Sequence, residues 1–383
     1  MTAATRTRIE EAALPPLVAL AIALVVGDLL IISFGQSPAA VYRLLLEGTW
    51  GNAYGFGQVL FKATTLVFTG LAFALGFRAG IFNIGAESQL AAGGFAAAAT
   101  SLALAGLPGP VLVPLCILAA ALGGGAAGAV PGALKARFGA HEVITTIMFN
   151  FVVLALLNYV VAAHLHVAET LHTPAVEHAS IPRLSRFVAA FHGSAANLTL
   201  VLALAAAAGT WWYLFRTRGG YELRAVGLQP AAAEYGGVRV PGVWWRALAF
   251  GGALAGLGGV NSVLGYKHYY EEGFAGGAGF LGIAVALVGR SHPLGILPAA
   301  LLFATLSQGG LAVNALVPKQ MVEVLQAVVI IAVATSVPEV RRALRAARGR
   351  TVTGGPPLPR EADPWTAAPD GTRRGEPQAE PTT

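Results

Sequence analysis

The chain has 383 residues, of which 55% are hydrophobic and only 11% charged, and its net charge is +6. A soluble globular domain carries roughly 25% charged residues, so this composition excludes an ordinary soluble protein and indicates a chain surrounded mostly by lipid. Nucleic-acid-binding proteins are also basic, but here the Lys and Arg residues are scattered over loops instead of forming one patch. We therefore expect a lipid bilayer, and no nucleic acid, as a partner.

Apolar runs of about 20 residues, the length that crosses a bilayer as a helix, recur along the chain. Because Lys and Arg gather in cytoplasmic loops, we place both termini in the cytoplasm: an N-terminal segment at 1–13, a transmembrane domain at 14–337, and a basic, then disordered, tail at 338–383. The sequence thus predicts an all-α membrane protein with about ten transmembrane helices, at Leu14–Phe34, Gln58–Phe77, Ile84–Ala105, Pro110–Val130, Val143–Ala163, Asn197–Phe215, Val243–Gly265, Gly277–Gly289, Pro293–Val313 and Met321–Val337.

Gly76–Gln89 is the main irregularity among the apolar runs. Its polar residues Asn83, Glu87 and Gln89 stand next to or inside an apolar run. A carboxylate at membrane depth is costly, so such groups face a cavity or a partner, and broken helices are tolerated there only against protein or water. We interpret the segment as a discontinuous helix lining a substrate path. The alternative is a cytoplasmic turn in which Arg78 pairs with Glu87.

A second segment, Gly273–Gly282, is also short and interrupted by glycine. Two such segments in corresponding halves of a chain are typical of a transport site between two repeats. We therefore predict two pseudo-repeats, made of spans two to five and spans seven to ten. Phe280 in this segment and Asn150 on the fifth span are further candidates for the path, although Asn150 could equally join two helices by hydrogen bonds.

The predicted extracytoplasmic loop 164–196 contains His164 and His166 at His-x-His spacing. Such a pair suits zinc, but nothing else in the chain has ligand spacing, so we expect no metal. No Gly-Lys-Ser/Thr sequence occurs, and the chain therefore lacks a P-loop for ATP. No serine, cysteine or carboxylate pair has catalytic surroundings. The sequence predicts a protein that is not an enzyme and needs no cofactor.

The basic stretch Arg216–Gly242 separates two apolar runs and is predicted to be a cytoplasmic loop. Pro230 can open a helix, the alanines and Glu234 continue it, and Gly236 and Gly237 end it. Two helical turns do not persist alone in water, so this helix needs a docking surface. The arginines suit either the cytoplasmic leaflet or an acidic groove of a partner. The alternative is an ordinary inside loop whose arginines only set the topology.

Tyr221–Gly237, with the sequence YELRAVGLQPAAAEYGG, resembles the coupling-loop motif of bacterial ABC importer permeases of the ribose and branched-chain amino acid type. Gly80–Gln89, Glu142–Asn150 and Gly277–Arg290 look like the same superfamily in the same order, so the resemblance covers about residues 56–336. The nearest branch is that of the nucleoside and simple-sugar permeases. Ser88 departs from the family, which usually has glycine there.

The resemblance implies a permease fold like that of the cobalamin importer, located as a multi-pass protein in a bacterial inner membrane. It also implies three kinds of partner: a second permease subunit, identical or different, cytoplasmic ABC ATPase subunits, and an extracytoplasmic substrate-binding protein. Coupling to the ATPase would fall on one group of loop residues, namely Glu222, Arg224, Gly227, Pro230, Ala232, Glu234, Tyr235 and Gly236.

The expected function is therefore ATP-driven import, with nucleosides as the expected cargo. Simple sugars or branched-chain amino acids are the alternatives within the same superfamily. The alternative from a different class is an ion-coupled secondary transporter or a channel. Such a protein should carry several charges within its spans, whereas charged residues are few in the apolar runs of this chain.

Overall fold

The computed structural model describes residues 21–332, except residues 23, 177 and 319. The predicted N-terminal segment 1–13, the tail 338–383 and parts of the first and last predicted spans lie outside the described residues. Both predicted termini, and with them their cytoplasmic location, therefore stay predictions.

Helices make up most of the described chain, and no β-strand occurs in it apart from two isolated bridges, His172 to Glu271 and Arg183 to Asn197. Helices α6 and α10 each continue into a π-helical turn, at Val161–Leu165 and Val263–Lys267. The helices are α1 Leu24–Ser33, α2 Pro38–Thr49, α3 Ala53–Arg78, α4 Ala86–Ala103, α5 Gly109–Phe138, α6 Glu142–Val160, α7 Thr199–Arg216, α8 Arg218–Leu228, α9 Pro230–Tyr235, α10 Val240–Ser262, α11 Ala278–Val288, α12 Pro293–Val313 and α13 Gln320–Ala332.

Six helices are long and apolar enough to cross a membrane: α3, α5, α6, α7, α10 and α12. A seventh span results if α1 and α2, which meet at a bend of 112°, are taken as one. Helix α4 is not among them because Glu87 and Gln89 in its first turn lower its mean hydropathy. Helix α11 has only 11 residues. The all-α character and the multi-pass organisation are thus confirmed for the described residues, while the number of ten spans stays a prediction.

Helix α3 lies at the centre of the bundle. Most of its residues are apolar and they occupy all of its sides, and a helix of that kind is buried instead of facing solvent on one side. Side chains of the stretch that includes Phe68, Leu71 and Phe73 are fully buried. Helices α7, α10, α11 and α12 all pack against it, so α3 is the element against which the rest of the bundle is placed.

Helices α5 and α10 form the closest pair, because glycines face each other along their contact. A Cβ atom on Gly252 of α10 would lie 2.3 Å from the carbonyl oxygen of Gly124 in α5. A Cβ atom on Gly128 would lie 2.2 Å from the carbonyl oxygen of Leu248. The backbones are therefore in direct contact, as is typical of small-residue packing between membrane helices. We call this contact the glycine seam.

Candidate functional site

The chain breaks its helical path after α3, at the segment predicted to be discontinuous. Gly80 has a φ of 75°, a left-handed conformation that favours glycine, and the N–H of Ile81 closes the end of α3 by donating to the carbonyl of Gly76. The next residues run back along α3, so that the side chain of Asn83 lies beside Gly76. Helix α4 then begins at Ala86, with its first turn buried inside the bundle.

Buried amide groups hold this break in place. Asn83 and Gln89 exchange two side-chain hydrogen bonds of 3.0 Å each, and Asn83 also accepts from the N–H of Gly85 at 3.1 Å. Asn150 on α6 donates to the carbonyl of Ile84 at 2.9 Å and accepts from the N–H of Ser88 at 3.1 Å. The amide side chains of the break thus meet protein partners, which is how irregular backbone is stabilised at membrane depth.

The second glycine-interrupted segment closes onto the first through Glu87. One carboxylate oxygen of Glu87 accepts the N–H of Gly277 and the other accepts the N–H of Gly279, both at 2.7 Å. These N–H groups open α11, where a negative charge is favoured by the exposed donors of a helix N-terminus. The alternative of an Arg78–Glu87 pair is therefore wrong: Arg78 donates instead to the carbonyl of Ser291 at 3.0 Å.

Helix α11 begins at the depth of the interior of α3. The hydroxyl of Thr69, well inside that span, donates to the carbonyl of Ala278 at 3.1 Å. Gly282 also packs on Thr69 so closely that an added Cβ atom would lie 2.4 Å from the Thr69 hydroxyl. Two broken helices therefore meet within the bundle. We call the contact of Glu87 with Gly277 and Gly279, together with the supporting amides of Asn83, Gln89 and Asn150, the latch.

A cavity of about 750 Å³ opens next to the latch. It is lined by α3, α4, α10, α11, α12 and α13 and by the segment before α11, and a few polar side chains interrupt its largely apolar wall. Such a composition, mostly apolar with few polar groups, is typical of a site for a small organic molecule. The polar and aromatic lining residues are Phe61, Lys62, Thr65, Ser262, Phe274, Phe280, Ser307, Glu323 and Gln326. We call it the central cavity.

The structure separates the five predicted path residues into two groups. Phe280 lines the central cavity. The other four, Asn83, Glu87, Gln89 and Asn150, are buried in the latch and do not line the cavity. The latch nevertheless adjoins the cavity, because Gly277, which donates to Glu87, is part of the cavity wall. A direct role for these side chains in a substrate path stays a prediction.

Sequence reasoning missed Lys62 as a cavity residue. Its ammonium group donates to the carbonyl and the hydroxyl of Ser307, at 3.2 and 3.3 Å. The signal was present, because an ionisable residue inside an apolar span points to a functional position. Glu323 and Gln326 were also missed, since α13 shows its polar side chains to the cavity only once it packs beside α3 and α12.

The predicted cytoplasmic loop folds into two short helices. Helix α9, Pro230–Tyr235, confirms the predicted helix, with proline at its first position and Gly237 in a left-handed conformation after its end. Helix α8 before it was not predicted. The side chain of Leu228, at the end of α8, is 85% exposed, and that of Tyr235, at the end of α9, is 97% exposed. Large apolar side chains this exposed, on a helix too short to persist alone, mark a surface suited to contact with another protein.

Three of the remaining predicted coupling residues, Glu222, Arg224 and Gly227, connect the loop to the bundle. Glu222 on α8 pairs with Arg218 and Arg246, at 3.1 and 3.2 Å, and so ties α8 to α10. A Cβ atom on Gly227 would lie 2.0 Å from the carbonyl oxygen of Arg78, so α8 rests directly on the backbone where α3 ends. Ala232, Glu234 and Gly236 are exposed on α9, whereas Arg224 points inward to the ring of Phe215.

Among the described residues, no group of three or more His, Cys, Asp or Glu side chains lies close enough together to hold a metal ion. The two histidines of the His-x-His pair precede a connecting segment that is held to the π-turn of α10 by main-chain hydrogen bonds, including Val176 N–H to the carbonyl of His268 at 2.7 Å.

The latch, the central cavity and the loop 216–242 all lie in the part of the chain that is similar to known proteins. A family model described as the permease component of a branched-chain amino acid transport system matches residues 55–334. The chain belongs to this permease family. The matched region contains both the latch and the loop 216–242, and membership identifies the protein as a transport component instead of an enzyme.

Several curated relatives of this permease are similar over most of their length. A guanosine ABC transporter permease of Bacillus subtilis is 36% identical over 336 residues, which cover 84% of this chain and 93% of the relative. A nucleoside ABC transporter permease of Lactococcus lactis is 32% identical, covering 84% of this chain and 90% of the relative. A glucose ABC transporter permease of Haloferax volcanii is also 32% identical, covering 84% and 87%. No solved structure matches this permease.

Proposed function

We propose that this permease forms the translocation path of an ATP-driven importer of nucleosides in a bacterial inner membrane. The observation that supports nucleosides as the cargo is the similarity, over 84% of the chain, to permeases of guanosine and of nucleosides. The central cavity supports it, because the rings of Phe274 and Phe280 can stack on a base and the polar groups of Gln326 and Glu323 can bind a base edge or ribose hydroxyls.

ATP hydrolysis is assigned to separate cytoplasmic ATPase subunits, because the chain has no P-loop. The end of α8 and helix α9 support this assignment: they offer a small, exposed surface with Leu228 at the end of α8 and Tyr235 at the end of α9. A second permease subunit and an extracytoplasmic binding protein complete the proposed importer. The latch and the central cavity would then change between outward and inward states as the ATPase moves the coupling loop.

We further propose a ten-span fold of two inverted repeats, with both termini in the cytoplasm, like that of the cobalamin importer. Helix α3, the break and α4 are followed by the long helix α5, just as α10, the segment before α11 and α11 are followed by the long helix α12. The packing supports this pairing, because α10 lies against α4 and α5 while α3 lies against α11 and α12. Glu87 joins the two halves at the point where their broken helices meet.

Glucose transport is the second candidate, because a glucose permease is 32% identical over a similar length. The description of the family keeps branched-chain amino acids as a third possibility. The ion-coupled alternative is not supported, since the relatives are ABC transporter permeases.

The test is uptake by vesicles that contain the permease, its partner permease and the ATPase, supplied with the binding protein and with labelled guanosine, glucose or leucine. We expect guanosine to accumulate only when ATP is hydrolysed. Accumulation of glucose or leucine in place of guanosine would reassign the cargo. Guanosine uptake that needs no ATPase would contradict the importer itself.

A further inference from the structure

A group of basic side chains lies beside the coupling loop, apart from the latch and the cavity. The guanidinium carbons of Arg78 and Arg224 lie 5.8 and 5.2 Å from the centre of the Phe215 ring. The ring of His292 lies 5.3 Å from the same ring, centre to centre. We call Arg78, Arg224 and His292 around Phe215 the cation cluster; its charge comes from the two arginines, because Nδ1 of His292 accepts the N–H of Leu294. It joins four elements, because its members come from α3, α7, α8 and the turn before α12.

No carboxylate of the described residues balances this cluster. Neither Arg78 nor Arg224 forms an ion pair within that part of the chain, and Glu222, the acid closest to Arg224 along α8, pairs with other arginines. The Nε group of Arg224 is buried and has no hydrogen-bond partner. Two guanidinium charges on one ring repel each other, and a buried donor without an acceptor is unfavourable. The cluster therefore offers charge and donors to an anion.

The position of the cluster identifies the source of that anion. Arg78 ends span α3, Phe215 lies at the end of span α7, and His292 directly precedes span α12. The ends of spans lie where hydrocarbon meets the headgroup layer. Phe77 and Leu294, close to the cluster along the chain, are 43% and 54% exposed and give acyl chains an apolar surface.

We propose that the cation cluster binds the phosphate group of an anionic phospholipid. Guanidinium groups suit a phosphate because their planar donors match its oxygens in pairs, and anionic lipids are attracted to basic segments at the inner membrane surface. Bound there, one headgroup would hold the end of α3, helix α8 and the turn before α12 together. That turn is strained, since Arg290 and Ser291 have φ values of 56° and 49°, so a ligand that fixes it stabilises an otherwise unfavourable conformation.

Native mass spectrometry of the purified full-length permease tests this site. The protein is exposed to equal amounts of phosphatidylglycerol and phosphatidylcholine with the same acyl chains, and the retained lipids are compared. We expect the wild type to retain phosphatidylglycerol in preference. Arg224→Gln should lower that preference about fivefold, the effect of one basic residue at an anionic surface, whereas Arg224→Lys should keep most of it.

The matched control is Arg239→Gln, which removes the same charge from an exposed position of the same loop and should leave the preference unchanged. The proposal is overturned if the wild type shows no preference for phosphatidylglycerol, or if Arg239→Gln loses as much of that preference as Arg224→Gln. The wild-type measurement alone tests the proposal if Arg224→Gln does not fold. Inorganic phosphate alone is a further arm: stabilisation by phosphate but not by phosphatidylglycerol would rule out a lipid. Displacement of the lipid by an acidic segment of the ATPase, with loss of that displacement in Arg224→Gln, would assign the cluster to the ATPase instead.

Discussion

Glu87 is buried among groups that give its charge no cationic partner in the described chain, only two main-chain N–H donors. The N–H groups of Gly277 and Gly279 therefore have acceptors only because both carboxylate oxygens of Glu87 accept hydrogen bonds. Glutamine has the same shape but presents an NH₂ group where one acceptor stood. One buried N–H of the α11 N-terminus would then face another donor.

We expect Glu87→Gln to lower the free energy of unfolding by about 1–3 kcal/mol, the cost of a buried donor left unsatisfied, and to lower the rate of ATP-driven uptake. Thermal unfolding in detergent measures the first effect and vesicle uptake the second. The control is Glu47→Gln, whose carboxylate pairs with Arg43 on an exposed surface and should change stability by about 1 kcal/mol or less. Equal melting temperatures for the two variants would contradict the latch.

At this scale the sequence singled out residues that the structure places in the latch, but it did not predict all of their contacts. Asn83, Glu87 and Gln89 stood out because polar groups are rare beside apolar runs. The partners of Glu87 did not, because they are main-chain groups 190 and 192 residues away along the chain, and every non-proline residue has such a donor. Asn150 illustrates the same limit: of the two interpretations left open, its observed bonds are those of a residue that joins helices.

Helix α8 is positioned by contact between backbones, at Gly227. A Cβ atom there would lie 2.0 Å from the Arg78 carbonyl oxygen and 2.8 Å from the carbonyl carbon, so α8 would have to move away from the break that leads to the latch. We expect Gly227→Ala to destabilise the protein by about 1–3 kcal/mol, as overpacking does, and to reduce ATP-driven uptake. Gly242→Ala, in the same loop with no atom within 4 Å, should transport like the wild type. An unimpaired Gly227→Ala protein would refute the role of this contact.

Helix α9 should act through its exposed end and not through the fold. Tyr235 is 97% exposed, so Tyr235→Asp should change the free energy of unfolding by no more than about 0.5 kcal/mol. In the proposed complex, loss of a tyrosine contact should weaken ATPase binding by about 2 kcal/mol. Co-purification of the ATPase with the permease measures this loss.

The comparison for Tyr235→Asp is Tyr221→Asp, which places the same charge at an exposed tyrosine of α8. We expect this second variant to bind the ATPase normally. The proposed docking role of α9 fails if both variants bind equally well, or if both lose the ATPase to the same degree.

Of the two short helices in the loop, the sequence predicted α9 but not α8. The proline and the glycines around α9 predicted it correctly, because they act through local backbone geometry. Helix α8 was missed because its sequence is polar and glycine-containing, and it is stabilised by contacts that only the fold provides: the Thr217 hydroxyl accepts the N–H of Gly220 at its start, and Leu223 and Val226 are buried against the bundle.

The glycine seam determines how closely α5 and α10 approach. We expect Gly252→Ala to lower the free energy of unfolding by about 1–3 kcal/mol, because its Cβ atom would lie 2.3 Å from the Gly124 carbonyl oxygen and 3.1 Å from the next backbone atoms. Thermal unfolding in detergent measures the change.

Gly209→Ala on α7 is the control, since no atom lies within 4 Å of the added methyl group. Alanine is the better helix former, so this variant should be equally stable or more stable by up to about 1 kcal/mol. If Gly252→Ala is as stable as this control, the close contact between α5 and α10 is not needed for stability.

For the whole molecule, composition sufficed to predict a helical membrane protein. The count of spans did not follow as directly. Hydropathy marks long apolar helices, whether buried like α3 or facing lipid. Helices α4 and α11 instead begin inside the protein, with Glu87 and Gly279 in contact. A helix that starts there needs neither the length nor the composition of a full span.

The two broken helices also determine which polar interactions would be lost if the bundle opened between them. When α4 and α11 separate, each keeps its own internal hydrogen bonds, and the polar interactions that break between them are the two hydrogen bonds that Glu87 accepts. Hydrogen bonds to a charged group are worth about 1.5–3 kcal/mol each, and water entering from the cavity would replace part of that. Unwinding a continuous span at the same depth would instead expose several backbone groups at once. The contact between α4 and α11 at the latch can therefore be broken without unwinding either helix.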